Sequence, residues 1–222
     1  MVTINLVVLG GSRAFGTAFP DCDYDYYGVF THSPKEFGGL YPPKESYQTC
    51  QGEMDYTFHE LRKFCRLAVA GNPTILDTLF SPYVIYQDLV GRGLRGMCSS
   101  FLSKRILLAY LGYATNQLER YQRGVRLHSR QGTPNPKFVS HAARLLYGGL
   151  HLAKTGEFLV MLPDEGKELV LRLREGSPDR AIEQLILMRN CLAWVKDHSG
   201  LPDDADVETV ETFLHWARYR NC

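Results

Sequence analysis

The chain has 222 residues, 25 Lys and Arg against 24 Asp and Glu, a formal net charge of +1, and 45% hydrophobic residues. A chain of this length buries roughly 70% of its unfolded surface, so it needs no disulfide or metal staple, and its ordinary apolar fraction excludes disorder. The near-zero charge argues against a dedicated nucleic-acid binder, and no apolar run approaches the ~20 residues of a membrane helix.

Residues 1–11 lack the basic n-region of a signal peptide, and the expected location is the cytoplasm. The six cysteines, Cys22, Cys50, Cys65, Cys98, Cys191 and Cys222, form no CxxC pair and meet no histidine at ligand spacing. Reduced thiols, with neither a disulfide framework nor a zinc site, are therefore expected.

Residues 2–9 form a β-branched and apolar run ending in Gly10-Gly11, which predicts a buried strand. A second strand is expected over 24–31 and a third over 47–57, interrupted by Gly52; the proline-rich stretch 34–46 reads as a loop. Helical spacing of Leu61, Phe64, Cys65 and Ala68 predicts a helix over 59–70, with Gly71 at its end. Pro73 suits the first turn of a second helix through Phe80, and 84–86 is one more strand candidate. The rest is helical by periodicity: 103–121, 135–155, 164–175, 178–198 and 207–220. Arg123 to Arg130, with Gly132 and Pro134 following, reads as a mobile loop. The composition shift near residue 100 is the candidate domain boundary.

The chemistry-bearing segment is Gly11-Ser12-Arg13-Ala14-Phe15-Gly16-Thr17-Ala18-Phe19-Pro20-Asp21-Cys22-Asp23-Tyr24-Asp25. A strand ends in a Gly-Ser turn, and a second strand begins with Asp-Tyr-Asp. Side chains alternate along a strand, so Asp23 and Asp25 share a face. Two such carboxylates repel unless they share a cation, and Mg²⁺ binds through one or two carboxylates plus substrate phosphates. The Gly-Ser turn supplies close backbone approach and a hydroxyl donor for a phosphate. A two-metal mechanism needs a third carboxylate. Asp55 in Met54-Asp55-Tyr56 is preferred over Glu53, which lies on the same strand face but closer to the turn. An EF-hand reading of the segment fails, because its sixth position is Tyr26 and its twelfth is His32. A plain turn with solvated aspartates leaves Gly11-Ser12 and Asp55 unexplained.

These residues resemble the nucleotidyltransferase superfamily of DNA polymerase β, whose pattern is a strand, Gly-Ser, an Asp-h-Asp strand (h apolar) and a later h-Asp-h strand. The string GSRAFGTAFPDCDYDYYGVF, then GEMDYTFHELRKFCRLAVAGNPTILDTLFSP and Lys137, His141 and Arg144, is similar to its RNA-ligase-associated polymerase branch. Cys22 stands where serine is common, outside the metal-ligand positions. The resemblance covers most of residues 4–150. It implies an α+β fold, with a mixed-sheet nucleotidyltransferase domain over 1–98 and an all-α domain over 99–222 covering the nucleotide cleft. It implies that Asp23 and Asp25 bind two Mg²⁺ (Mn²⁺ as a substitute), that Asp55 holds the catalytic metal and orients or deprotonates the acceptor hydroxyl, and that Gly11 and Ser12, with Arg13 beside them, bind nucleotide phosphates. The implied reaction transfers NMP from an NTP to a hydroxyl with release of pyrophosphate. An RNA or tRNA 3′ end is the first acceptor. A protein side chain or small molecule is the alternative, and a catalytically idle nucleotide-binding regulator is the non-enzyme one.

Charge is segregated along the chain. Residues 120–156 hold Arg120, Arg123, Arg126, Arg130, Lys137, Arg144 and Lys154 and no acid, whereas thirteen acids fall between Glu157 and Glu211. Such a stretch creates local positive potential for a triphosphate or nucleic-acid backbone, which weakens the argument from net charge. Lys137, His141 and Arg144 fall at i, i+4 and i+7, on one helix face. That face is either a solvated surface or a binding surface for triphosphate or acceptor.

Overall fold

The computed structural model describes residues 2–19, 22–37, 39–41, 43–131 and 135–220, without the side chains of 126–131. Five strands, β1 (Val2–Leu9), β2 (Tyr24–His32), β3 (Ser46–Gln51), β4 (Met54–Glu60) and β5 (Val84–Gln87), form one mixed sheet in the order β3-β4-β2-β1-β5. β2 and β4 run parallel, and the other neighbours are antiparallel. The segment expected as one interrupted strand over 47–57 is a hairpin. Gly52 takes φ +62° at the first of two turn residues, and folds β4 back on β3. Gly28 lets β1, β2 and β4 approach, since a Cβ there would lie 2.2 Å from the Phe58 ring and 2.8 Å from the Leu6 carbonyl oxygen.

Helices α1 (Gly11–Phe15), α2 (Pro34–Phe37), α3 (Leu61–Val69), α4 (Pro73–Phe80) and α5 (Leu89–Gly96) belong to the same unit. Their starts follow local rules: Glu60 accepts from the Arg62 amide (2.8 Å), Asn72 from Ile75 (3.2 Å) with Pro73 in the first turn, and Asp88 from Gly91 (2.9 Å). α3 therefore begins two residues later than its periodicity predicts, because His59 and Glu60 finish β4. Leu6, Val8, Val29, Phe30, Leu61 and Phe64 are fully buried and form the core of the sheet and its helices.

The remaining helices are α6 (Lys104–Gln131), α7 (Lys137–Thr155), α8 (Asp164–Glu175), α9 (Pro178–Lys196) and α10 (Val207–Tyr219). The chain divides into two compact units, one of residues 1–102 with 204–222 and one of 103–203. This corrects the division at 98/99, because α10 groups with the sheet. Arg218 on α10 donates to Glu60 Oε1 (2.6 Å) and to the His32 carbonyl (2.9 Å), and its guanidinium lies 4.2 Å from the centre of the Phe37 ring. Phe213 packs where a Cβ on Gly93 would stand, 2.8 Å away. In the second unit α6 runs to Gln131, so Arg123 is helical and the loop expected over 123–130 is a helix. No proline stands between 104 and 131 to stop the helix. Gly132 and Pro134 lie outside the described residues. Ile106, Leu107, Ala142, Leu146, Leu185 and Leu192 are buried in this unit, and Gly149 admits Leu192 at 2.8 Å from its would-be Cβ.

The five described cysteines are free. Among the described residues no helix is long and apolar enough to cross a membrane. The Arg218–Glu60 pair is buried, with side-chain exposures of 9% and 0%. Removing one partner of such a pair strands the other charge, at a cost of about 3–5 kcal/mol. Arg218→Met is accordingly expected to lower the unfolding free energy of the sheet-bearing unit by an amount of that size, read as a lower urea midpoint, and adding Glu60→Gln is expected to recover part of it.

Candidate active site

The end of β1 is held from three sides. Ser81 Oγ donates to the Leu9 carbonyl (2.9 Å), the Leu9 amide donates to the Tyr83 carbonyl (2.9 Å), and the Gly10 amide donates to the Asp25 carbonyl (2.8 Å). These bonds set the start of α1 against β2. A Cβ on Gly10 would lie 2.2 Å from the Tyr27 ring. At Gly11, where φ is +61°, it would lie 1.8 Å from Asp25 Oδ2. Gly11 is thus required twice, for its backbone conformation and for the carboxylate seated on it. Ser12 is half-buried in the first turn of α1. Arg13 is tied to the segment before β2: its Nη2 donates to the Cys22 carbonyl (2.6 Å), and its guanidinium lies 3.8 Å from the centre of the Tyr24 ring.

Parallel pairing sets Asp25 opposite Asp55, and antiparallel pairing sets Cys50 opposite Asp55. Partnered residues point to the same face, so Cys50, Asp55 and Asp25 form a row across β3, β4 and β2 that ends at Gly10 and Gly11. The next rung confirms the register on the other face, where Tyr26 and Tyr56 stack at 5.2 Å and 18°. The Cys50 thiol is pushed up from its usual range by its hydrogen bond to Asp55 first, then by the charge of Asp55, burial and the charge of Asp23. An open cavity of 410 Å³ is lined by Asp25, Asp55, Cys50, Gln48 and Thr57 among others.

Asp23 is exposed and immediately precedes β2. Among the described residues no three His, Cys, Asp or Glu side chains gather closely enough to hold a metal ion. The local donor set is two carboxylates on one sheet face, Asp25 and Asp55. That set fits Mg²⁺, which takes its other oxygens from phosphates and water. Glu53, the rival of Asp55, stands in the hairpin turn, and its carbonyl accepts from the Tyr24 amide (2.8 Å). Cys50 escaped the sequence reading, although a two-residue turn at Gly52-Glu53 would have set it opposite Asp55. Ser81 and Tyr83 left no comparable signal, because their partner Leu9 is distant in sequence.

Lys137, His141 and Arg144 lie on α7 in the second unit. That unit brings the three together: partial burial first, then the charges of Arg144 and Lys137, push His141 down to about 4. The imidazole is therefore neutral at neutral pH, and the face carries two charges instead of three. Arg126 and Arg130 of the basic stretch have side chains outside the described residues. A second cavity, of 530 Å³, lies between α3 and α10. Its arginines already have acidic partners, Glu45 for Arg62 and Arg66 and Glu60 for Arg218.

Two curated relatives match parts of the chain. One is an uncharacterized 38.9 kDa protein in the nrdC–mobD intergenic region of Enterobacteria phage T4, 28% identical over 123 residues, which cover 50% of this chain and 36% of that protein. The other is an uncharacterized protein of Methanocaldococcus jannaschii, 26% identical over 156 residues, covering 68% and 61%. The chain thus spans about a third and three fifths of these relatives. A crystal structure of a nucleotidyltransferase-like protein from Exiguobacterium sibiricum aligns with a TM-score of 0.37 at 14% identity, covering 95% of this chain and 72% of that one. Residues 1–215 match a single family over nearly the whole length, with the Gly-Ser turn, Asp25 and Asp55 inside the matched region. The chain belongs to the RNA repair pathway DNA polymerase beta family.

Proposed function

We propose that this protein is a Mg²⁺-dependent nucleotidyltransferase that moves NMP from an NTP to the hydroxyl of an RNA 3′ end. The observation that carries the reading is the seating of Asp25 on Gly11 within a ladder that sets Asp55 beside it. Gly11 and Ser12 lie on one side of Asp25, where the triphosphate would bind. Asp55 lies on the other side, where an acceptor hydroxyl would enter. Asp25 and Asp55 would hold the cation, and Asp23, at the entry to β2, would join them when nucleotide binds. Bound Mg²⁺, or Mn²⁺ in its place, supplies the Lewis acid that neutralises charge on the α-phosphate and the leaving pyrophosphate. The acceptor oxygen bonds to the α-phosphorus, the bridging α–β P–O bond breaks, pyrophosphate departs, and Asp55 takes the hydroxyl proton. An RNA acceptor is supported by the family description and by the acid-free basic stretch of residues 120–156.

Pyrophosphate release with each NTP, Mg²⁺ and RNA tests the reaction. Asp25→Asn and Asp55→Asn are each expected to reduce it at least ~10²-fold. Release that persists in Asp23→Ala plus Asp25→Ala removes those two carboxylates from the mechanism. Gly11→Ala forces a Cβ into the Asp25 carboxylate at a positive φ. It is expected to abolish release and to lower stability by more than ~1 kcal/mol, read as a lower thermal midpoint. Replacing Arg123, Arg126 and Arg130 with Ala is expected to weaken RNA binding and to flatten its salt dependence by a slope of about 2, given ~0.7 per phosphate contact on a single strand. An unchanged slope would direct attention to a protein or small-molecule acceptor.

A further inference from the structure

The face of β3 and β4 that carries Cys50 and Asp55 continues as a polar track. Its rungs are Cys50 with Asp55, Gln48 with Thr57, and Ser46 with His59. The first two rungs line the cavity that also contains Asp25. At the third, Lys63 of α3 donates to Ser46 Oγ (2.7 Å), and Ser46 Oγ lies 2.7 Å from His59 Nδ1. An ammonium can only donate, so the hydroxyl accepts from Lys63 and its own proton is available to Nδ1. All three residues are half-buried. Burial first, then the charge of Lys63, lowers the His59 pKa, so the imidazole adds no second charge. Lys63 has no carboxylate partner among the described residues: the neighbouring Glu45 pairs with Arg62 and Arg66, and Glu60 pairs with Arg218.

A half-buried cation whose bonded partner is a neutral hydroxyl lacks a counter-charge. We infer that Lys63, Ser46 and His59 form an anion subsite that holds a backbone phosphate of a single-stranded acceptor. This rests on the nucleotidyltransferase reading and names how that site recognises its acceptor. The side of the sheet decides between nucleotide and acceptor. Gly11 and Ser12 flank Asp25 at β1, whereas Ser46, His59 and Lys63 lie beyond Asp55 at β3 and β4. His59 lies four residue steps along β4 from Asp55, about 13 Å at ~3.3 Å per step. An acceptor whose terminal hydroxyl reaches Asp55 must therefore extend along Thr57 and Gln48 before its phosphate meets Lys63. A strand of several nucleotides meets that requirement.

The test is fluorescence anisotropy of a labelled short oligoribonucleotide over a salt series without Mg²⁺, which separates binding from catalysis. Lys63→Met is expected to weaken binding several-fold and to flatten the salt slope by about 0.7, the value for one phosphate contact on a single strand. Lys63→Arg is expected to keep the wild-type slope, and circular dichroism of both variants reports that the fold is intact. Wild-type protein that does not bind the oligoribonucleotide, or Lys63→Met with unchanged affinity and slope, overturns the proposal. So does displacement of the RNA by an equal concentration of nucleoside monophosphate, which would make the ligand a small phosphorylated molecule. Pyrophosphate release by the same preparations reports on the reaction separately. A chain inactive with every NTP defeats the catalytic reading while the salt slopes still read the subsite.

Discussion

At position 11 there is no room for a side-chain carbon. The space is taken by the Asp25 carboxylate, whose Oδ2 would lie 1.8 Å from any Cβ, and the backbone there holds φ +61°. This constraint ties the turn after β1 to the carboxylate on β2. The ladder carries it outward: Gly10 bonds Asp25, Asp25 is in register with Asp55, and Asp55 is in register with Cys50. A shift of one residue in either pairing would turn the partner to the other face of the sheet. The candidate site is thus as well defined as the register of three strands, and the stacked Tyr26 and Tyr56 on the reverse face help to hold that register.

The far ends of the same strands are held by a different interaction. Glu60 ends β4, caps α3 and accepts from Arg218 of α10, while Arg218 also reaches the carbonyl at the end of β2. A buried carboxylate is costly unless it is both paired and hydrogen-bonded, and Glu60 is both. This arrangement brings the last helix to the sheet-bearing unit. Polar chemistry lies at the starts of β2 and β4 and structural charge at their ends. The polar track on β3 and β4 leads from the first toward the second and stops at Lys63.

The spacing of the candidate site is legible in the sequence. The spacing of Gly11-Ser12, Asp23-Tyr24-Asp25 and Met54-Asp55-Tyr56 carried the chemistry, because strand alternation converts spacing directly into facing. Cys50 carries no signal as long as residues 47–57 are taken as one interrupted strand. Gly52 followed by one more turn residue reverses the chain and pairs Cys50 with Asp55. At 123–130 the structure departs from the expected loop for a different reason. A cluster of arginines with one glycine has no helix-stopping residue, and α6 continues through it.

Local pattern determined the strands that end at Gly10 and begin at Tyr24, the helix start at Asn72-Pro73, and the acidic character of the candidate site. Each of these depends on residues a few positions apart, where backbone geometry alone sets the relation. Tertiary structure alone decided that α10 belongs with the sheet, that Ser81 and Tyr83 brace the end of β1, and that Lys63 stands on the same track as Asp55. Those relations join residues up to 186 positions apart. They exist because buried charges and buried backbone groups must find partners wherever the packed chain brings them, and no periodicity within a segment encodes which partner that will be.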